Sequence, residues 1–170
     1  MSLEAFKLRV LPAKNKLYRF ALRIIGDREE AKDIVQEVMI RVWNKRETMD
    51  QTINMEAWCM QITKNLCYDR VKSKAFQTRS SLPENWQLED KSSTPEKRAV
   101  MKDIMNQIHQ FINNLPDKQK EVIHLRDIEG YSYHEIGDIM AIDINQVKVN
   151  LFRARKAIRE SLSKINVYGA

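Results

Sequence analysis

The chain has 170 residues, 29 Lys and Arg against 23 Asp and Glu, and a formal charge of +6. That is enough length for one ordinary domain or two small ones, with a sign that suits a polyanionic partner. No apolar run approaches the roughly 20 residues of a membrane helix, and the start, MSLEAFKLRV, lacks the apolar segment of a secretory signal, so a cytoplasmic protein is expected.

Two cysteines and three scattered histidines, with no C-x-x-C, suggest no metal site. Cys59 and Cys67 stand eight apart in a predicted helix, too far along its axis for a local bridge, so free thiols are expected. Four glycines, four prolines and few alternating apolar runs read as an all-α protein.

Apolar residues first recur at helical spacing as Leu3, Phe6 and Val10, then as Leu17, Phe20, Ala21 and Ile24, with Pro12 forcing a restart between them. Gly26 ends the second run, and Asp27 with Glu30 caps the next helix, REEAKDIVQEVMIRVWNKR. This helix should bury Ala31, Ile34, Val35, Val38 and Val42. Its far side carries Asp33, Gln36, Glu37, Ile40 and Asn44. A single exposed isoleucine is ordinary, but inside a ring of acids and amides it has the make-up of a protein-docking surface.

Thr48 to Asn54 is a polar loop, and a third long helix follows from about Met55 to Lys74, with Met55, Trp58, Cys59, Ile62 and Leu66 inward. The opposite side shows Met60, Gln61, Lys64, Tyr68, Val71 and Lys72, with Asn65 and Arg70 at its margins. Lysines interleaved with an aromatic ring and amides suit unpaired bases, which stack on rings while lysines hold phosphates. An ordinary solvated face is the alternative.

Residues 76–95 break every periodicity with Ser, Thr, Pro and acids, and Trp86 and Leu88 are their candidates for local docking. The chain thus divides into a domain over 1–75, a flexible linker over 76–95 and a second domain over 96–170. Pro95 and Glu96 start a helix whose Val100, Ile104, Ile108, Phe111 and Ile112 are expected inward.

Pro116 and Asp117 open the next helix, and Gly130 stops it. Ser132 with Glu135 forms a capping box for a short helix to Met140, and after Ala141-Ile142-Asp143 a second cap, Asp143 with Gln146, opens the last helix. Two helices joined by a three-residue turn make a helix-turn-helix. On the last helix Val147, Leu151, Ala154, Ile158 and Leu162 form the buried stripe. Opposite lie Asn145, Val149, Phe152, Arg153 and Lys156, flanked by Gln146, Lys148 and Asn150. Amides can pair with adenine, guanidinium with guanine, and valine with a thymine methyl, as a helix in the major groove requires.

Charge agrees. Pro116–Asp143 holds three basic and seven acidic residues, whereas Ile144 onward holds six basic residues, Arg155 among them, against Glu160 alone. Counterion release favours that concentration on a helix facing phosphate. A plain helical hairpin with a solvated basic face is the alternative.

In order and at matching spacing, GDREEAKDIVQEVMIRVW, EAWCMQITKNLCYDRVK, the linker, EGYSYHEIGDIM and QVKVNLFRARKAI resemble the bacterial RNA polymerase sigma factors of the extracytoplasmic-function group. The resemblance covers nearly the whole chain. It implies an all-helical transcription initiation factor whose region two docks on core RNA polymerase through Ala31, Asp33, Gln36 and Glu37, with Ile40 and Asn44 on the same face. It further implies that the loop Thr48 to Asn54 and Lys64, Asn65, Tyr68, Asp69, Arg70 and Lys72 open the promoter and hold the melted non-template strand, replacing lost base stacking. Region four would place the last helix on double-stranded promoter DNA.

An anti-sigma factor is the regulator the resemblance implies, and no cofactor or enzymatic activity is expected. Two departures stand out. The run Asn145-Gln146-Val147-Lys148-Val149-Asn150 replaces two expected polar contacts, so the promoter sequence cannot be borrowed from relatives, and Gly137 stands where alanine is usual. A helix-turn-helix regulator acting without polymerase is the first rival, but no sustained heptad offers it a dimerisation element. A recombinase-like enzyme is the second, but no cluster of nucleophile, base and metal ligands supports it.

Overall fold

The computed structural model describes residues 1–49, 54–74 and 95–168, the side chains of 166–168 excepted, and every regular element among them is helical. Helix α1 (Leu3–Arg9) starts at Ser2, whose hydroxyl accepts from the Ala5 N–H at 3.1 Å. Pro12 falls in a 3-10 turn (Leu11–Ala13) before α2 (Lys14–Ile25), which Gly26 ends at φ +75°. Asp27 then caps α3 (Arg28–Asn44) by accepting from the Glu30 N–H at 3.1 Å. Helix α4 (Met55–Lys74) completes the first half. The stripe expected inward on α3 is buried at all five positions and packs with Leu17 and Phe20 of α2.

The second half contains α5 (Pro95–Asn113), α6 (Asp117–Ile123), a π turn (His124–Ile128), α7 (Tyr133–Met140) and α8 (Ile144–Tyr168). The π turn is not evident in the sequence. Its i→i+5 bond from the Glu129 N–H to the His124 carbonyl, 3.1 Å, stacks those two residues on one side. Gly130, at φ +79°, closes it. Ser132 and Glu135 make the expected capping box, with bonds of 3.1 and 3.0 Å, and Asp143 Oδ1 accepts from the Gln146 N–H at 2.7 Å.

The turn between α7 and α8 explains Gly137. Ala141 adopts the left-handed conformation at φ 55°, and this folds the Ile142 carbonyl back over α7, where a Cβ on residue 137 would stand 2.9 Å from its oxygen. Gly137→Ala is therefore expected to lower stability. Overpacking costs about 1 to 3 kcal/mol against the roughly 1 kcal/mol of helix propensity gained, and a lower Tm by circular dichroism checks it.

Two expectations about burial need correction. On α5, Val100 and Ile104 are exposed, Ile108 and Phe111 half-buried and, of the five, only Ile112 fully buried, because among the described residues the core that α6 and α8 offer reaches only the C-terminal half of the helix. On α4 the expected inward residues Met55, Cys59 and Leu66 are buried and Trp58 and Ile62 half-buried, but Met60, Thr63, Lys64 and Cys67 are buried as well. The reason is tertiary: α7 packs on α4 in addition to α2 and α3, so the second half of the chain sits directly on the first. Trp86, Leu88 and the rest of the linker, apart from Pro95, lie outside the described residues, as do residues 50–53 of the polar loop.

Candidate nucleic-acid and protein interfaces

The outward face of α8 is open. Asn145, Gln146, Lys148, Val149, Phe152, Arg153 and Lys156 are all exposed, and Asn150 is half-buried with its amide donating to the Gln146 carbonyl at 2.8 Å. Phe152 is 64 % exposed and Val149 45 %, an apolar pair that water alone would not favour amid polar neighbours. Val147, Leu151 and Ala154 anchor the other side in the core. Arg155 is not a free cation. It clamps Asp127 of the π turn through bonds of 3.0 and 2.6 Å, which hold its pKa above the usual value and fix α8 to the preceding helix pair.

The α3 face is likewise accessible. Asp33, Gln36 and Asn44 are exposed and Ile40 is 59 % exposed. Beside them runs a shallow apolar groove between α2 and α3, lined by Leu11, Tyr18, Val35, Met39 and Ile40. The sequence signals only Ile40, because the groove joins residues from two helices. Glu37 is half-buried and pairs with Arg41 at 2.7 Å and with Arg70 of α4 at 3.6 Å, so one carboxylate links the docking face to the next helix.

The third candidate surface is arranged differently from the sequence expectation. Asn65, Asp69 and Lys72 are exposed and Arg70 half-buried, but Lys64 is only 7 % exposed and the Tyr68 hydroxyl donates to Glu121 Oε1 of α6 at 2.5 Å. Burial lowers the Lys64 pKa, and burial, then Glu121, raises that of Tyr68. The Glu121 carboxyl is itself pushed up to about 7 by burial. Both thiols are buried and unpaired in disulfides, and burial raises their pKa values, Cys59 to about 12, which makes them poor nucleophiles.

Around that contact lies a polar seam that the sequence reading misses. Arg23 of α2, 2 % exposed, donates from Nε to His124 Nδ1 at 3.1 Å, from Nη2 to His109 Nδ1 at 2.8 Å and from Nη1 to Asn113 Oδ1 at 2.7 Å. Burial lowers its pKa to about 9, still charged at neutral pH. Burial first, then the neighbouring arginine charge, depresses His109 to about 3; His124 falls to about 4, chiefly by burial. Both rings are therefore neutral acceptors. Arg19 grips Glu129 through bonds of 2.6 and 2.8 Å, Tyr131 donates to Glu56 at 2.9 Å, and Asn54 donates to Glu135 at 2.9 Å. Arg23 sits inside the apolar run of α2, and its partners lie 86 to 101 residues away in sequence.

Family models decide the identity. Residues 11–77 match Sigma-70 region 2 and residues 105–158 match Sigma-70 region 4. The ECF RNA polymerase sigma factor SigW of Bacillus subtilis is 32 % identical over 157 residues, covering 88 % of this chain and 84 % of that protein. This chain belongs to the ECF RNA polymerase sigma factors.

The ECF sigma factor SigE of Mycolicibacterium smegmatis is 29 % identical over 151 residues, covering 88 % of this chain and 58 % of that one. In fold, this sigma factor is similar to RpoE of Bartonella quintana, solved in complex with the anti-sigma factor NepR, with a TM-score of 0.79, 22 % identity and coverage of 95 % and 98 %. It is also similar to CnrH, solved with the cytosolic domain of CnrY, with a TM-score of 0.70, 19 % identity and coverage of 96 % and 90 %. As a sigma factor it directs RNA polymerase to promoters. The region two match spans α2 to α4 and the region four match runs from the second half of α5 through most of α8, helix-turn-helix included, and among the described residues no helix is long and apolar enough to cross a membrane.

Proposed function

We propose that this ECF sigma factor docks on core RNA polymerase through Asp33, Gln36, Glu37, Ile40 and Asn44, reads duplex promoter DNA with the outer face of α8, and holds the melted strand on α4. The observation that carries the reading is the open face of α8, seated on a doubly capped helix-turn-helix, with Arg153 and Lys156 free to meet base edges and phosphates. Asn65, Tyr68, Asp69, Arg70, Lys72 and Lys64 form the strand-holding set, and the polymerase carries out the phosphoryl chemistry, so the sigma factor itself is no enzyme and works in the cytoplasm. An anti-sigma factor is its regulator, a reading supported by the neighbour of the same fold solved with the anti-sigma factor NepR. Run-off transcription from a genomic library with purified core polymerase tests the whole: start-site selection is expected, and its absence overturns the reading.

Two substitutions test the parts. Arg153→Ala should weaken promoter binding and relax preference at one position by about 1 to 3 kcal/mol, and a binding-site profile identical to wild type argues against this face. Asp33→Lys should abolish association with core polymerase in a pull-down while helical content is unchanged, because Asp33 is exposed on the outer face of α3.

A further inference from the structure

Two of the polar side chains that α8 could turn to a base are already engaged. The Asn150 amide donates to the Gln146 carbonyl of its own helix at 2.8 Å, and Arg155 grips Asp127 through two bonds. Val149 and Phe152, three positions apart and so neighbours on one side of the helix, are both exposed. Lys148, Arg153 and Lys156 are exposed around them, and α8 carries no acid before Glu160. An apolar pair framed by cations fits a polyanion with apolar groups in its groove, and in the major groove of DNA that group is the thymine methyl. We infer that Val149 and Phe152 form a methyl-reading pair, each covering the methyl of a thymine in the duplex element that Arg153 and Lys156 bind. This rests on the reading of α8 given above.

The spacing of the pair sets the arrangement of the thymines. Three residues advance an α-helix by about 4.5 Å, close to the roughly 3.4 Å between successive base pairs. The pair therefore spans one base step, and the element carries thymines at two neighbouring base pairs, on one strand or on opposite strands. The chemistry of the pair sets a tolerance as well. Neither side chain donates or accepts a hydrogen bond, so the pair senses the methyl and not the ring that bears it. A methylated cytosine satisfies it where cytosine does not.

The test uses the holoenzyme, core polymerase with the full chain, on a duplex promoter selected from a random library. The element under α8 is resynthesised with deoxyuridine for each thymine in turn, which removes one methyl and leaves every hydrogen-bonding atom in place, and binding is read by competition band shift. Loss of either contacted methyl should weaken binding about fourfold, the effect of burying one such group. At the same two positions, 5-methylcytosine should bind more tightly than cytosine by a similar factor. Val149→Ser should erase the difference between thymine and uracil at one position and Phe152→Ala at the other, with helical content unchanged by circular dichroism. A selected element without neighbouring thymines, or a difference that survives both substitutions, overturns the pair. Uracil tolerated at every position while Arg153→Ala still weakens binding overturns the pair and leaves α8 as the reading helix. If Arg153→Ala is silent as well, the reading of α8 itself falls.

Discussion

Replacing Arg23 with alanine should split the unfolding of this protein into two transitions in urea and weaken the docking of its halves by about 3 to 5 kcal/mol. The guanidinium satisfies three acceptors from region four, His124, His109 and Asn113, in a site from which water is excluded. Each buried acceptor left unpaired costs roughly 1 to 3 kcal/mol, with some recovery as water enters. Leu17 and Ala21 on the same helix stay buried in the core with the inward stripe of α3, while Phe20 also meets the His124 ring at 5.7 Å, so region two should unfold near its own midpoint. A single transition with the wild-type midpoint would show that Arg23 does not couple the halves.

The second large effect is on pH. His109 and His124 have folded-state pKa values of about 3 and 4, below the usual imidazole value near 6.5, because burial and the adjacent Arg23 charge penalise their protonated forms. Their contribution is fully present above about pH 6.5 and is lost as pH falls from there toward the depressed values. Glu129, held down to about 2 despite burial by its bonds to Arg19 and His124, adds a further loss below about pH 4.5.

Glu121 acts in the opposite sense. Its pKa is raised to about 7, so its contribution is present at low pH and is lost as pH rises from about 4.5 through 7. Two imidazoles outweigh one carboxyl, so stability should climb with pH between about 4.5 and 6.5, peak near the upper end and decline slightly beyond it. At about 1.4 kcal/mol for each tenfold change in proton affinity, the acid loss amounts to several kcal/mol. Urea midpoints across this range check the sign, and His124→Gln, which keeps an acceptor but cannot titrate near neutrality, should flatten the acid side.

Much of the architecture is written locally. A cap is a matter of one side chain reaching an N–H three residues on, so Asp27, Ser132 and Asp143 announce helix starts from the sequence, and the bonds are present. The inward stripe of α3 follows from helical periodicity for the same reason, since one solvated side and one buried side leave a regular pattern. The open faces of α3 and α8 follow as their complements.

What the chain alone determined, then, is its helices, their caps, the helix-turn-helix and the two surfaces that remain in solvent, because each depends on neighbours within a turn or two. Tertiary structure alone decided that α7 also packs on α4, that Lys64 and Tyr68 face Glu121, and that Arg23 is the peg between the halves. A polar seam carries no hydrophobic period, and its members look solvated until residues roughly a hundred positions apart are brought within hydrogen-bonding distance.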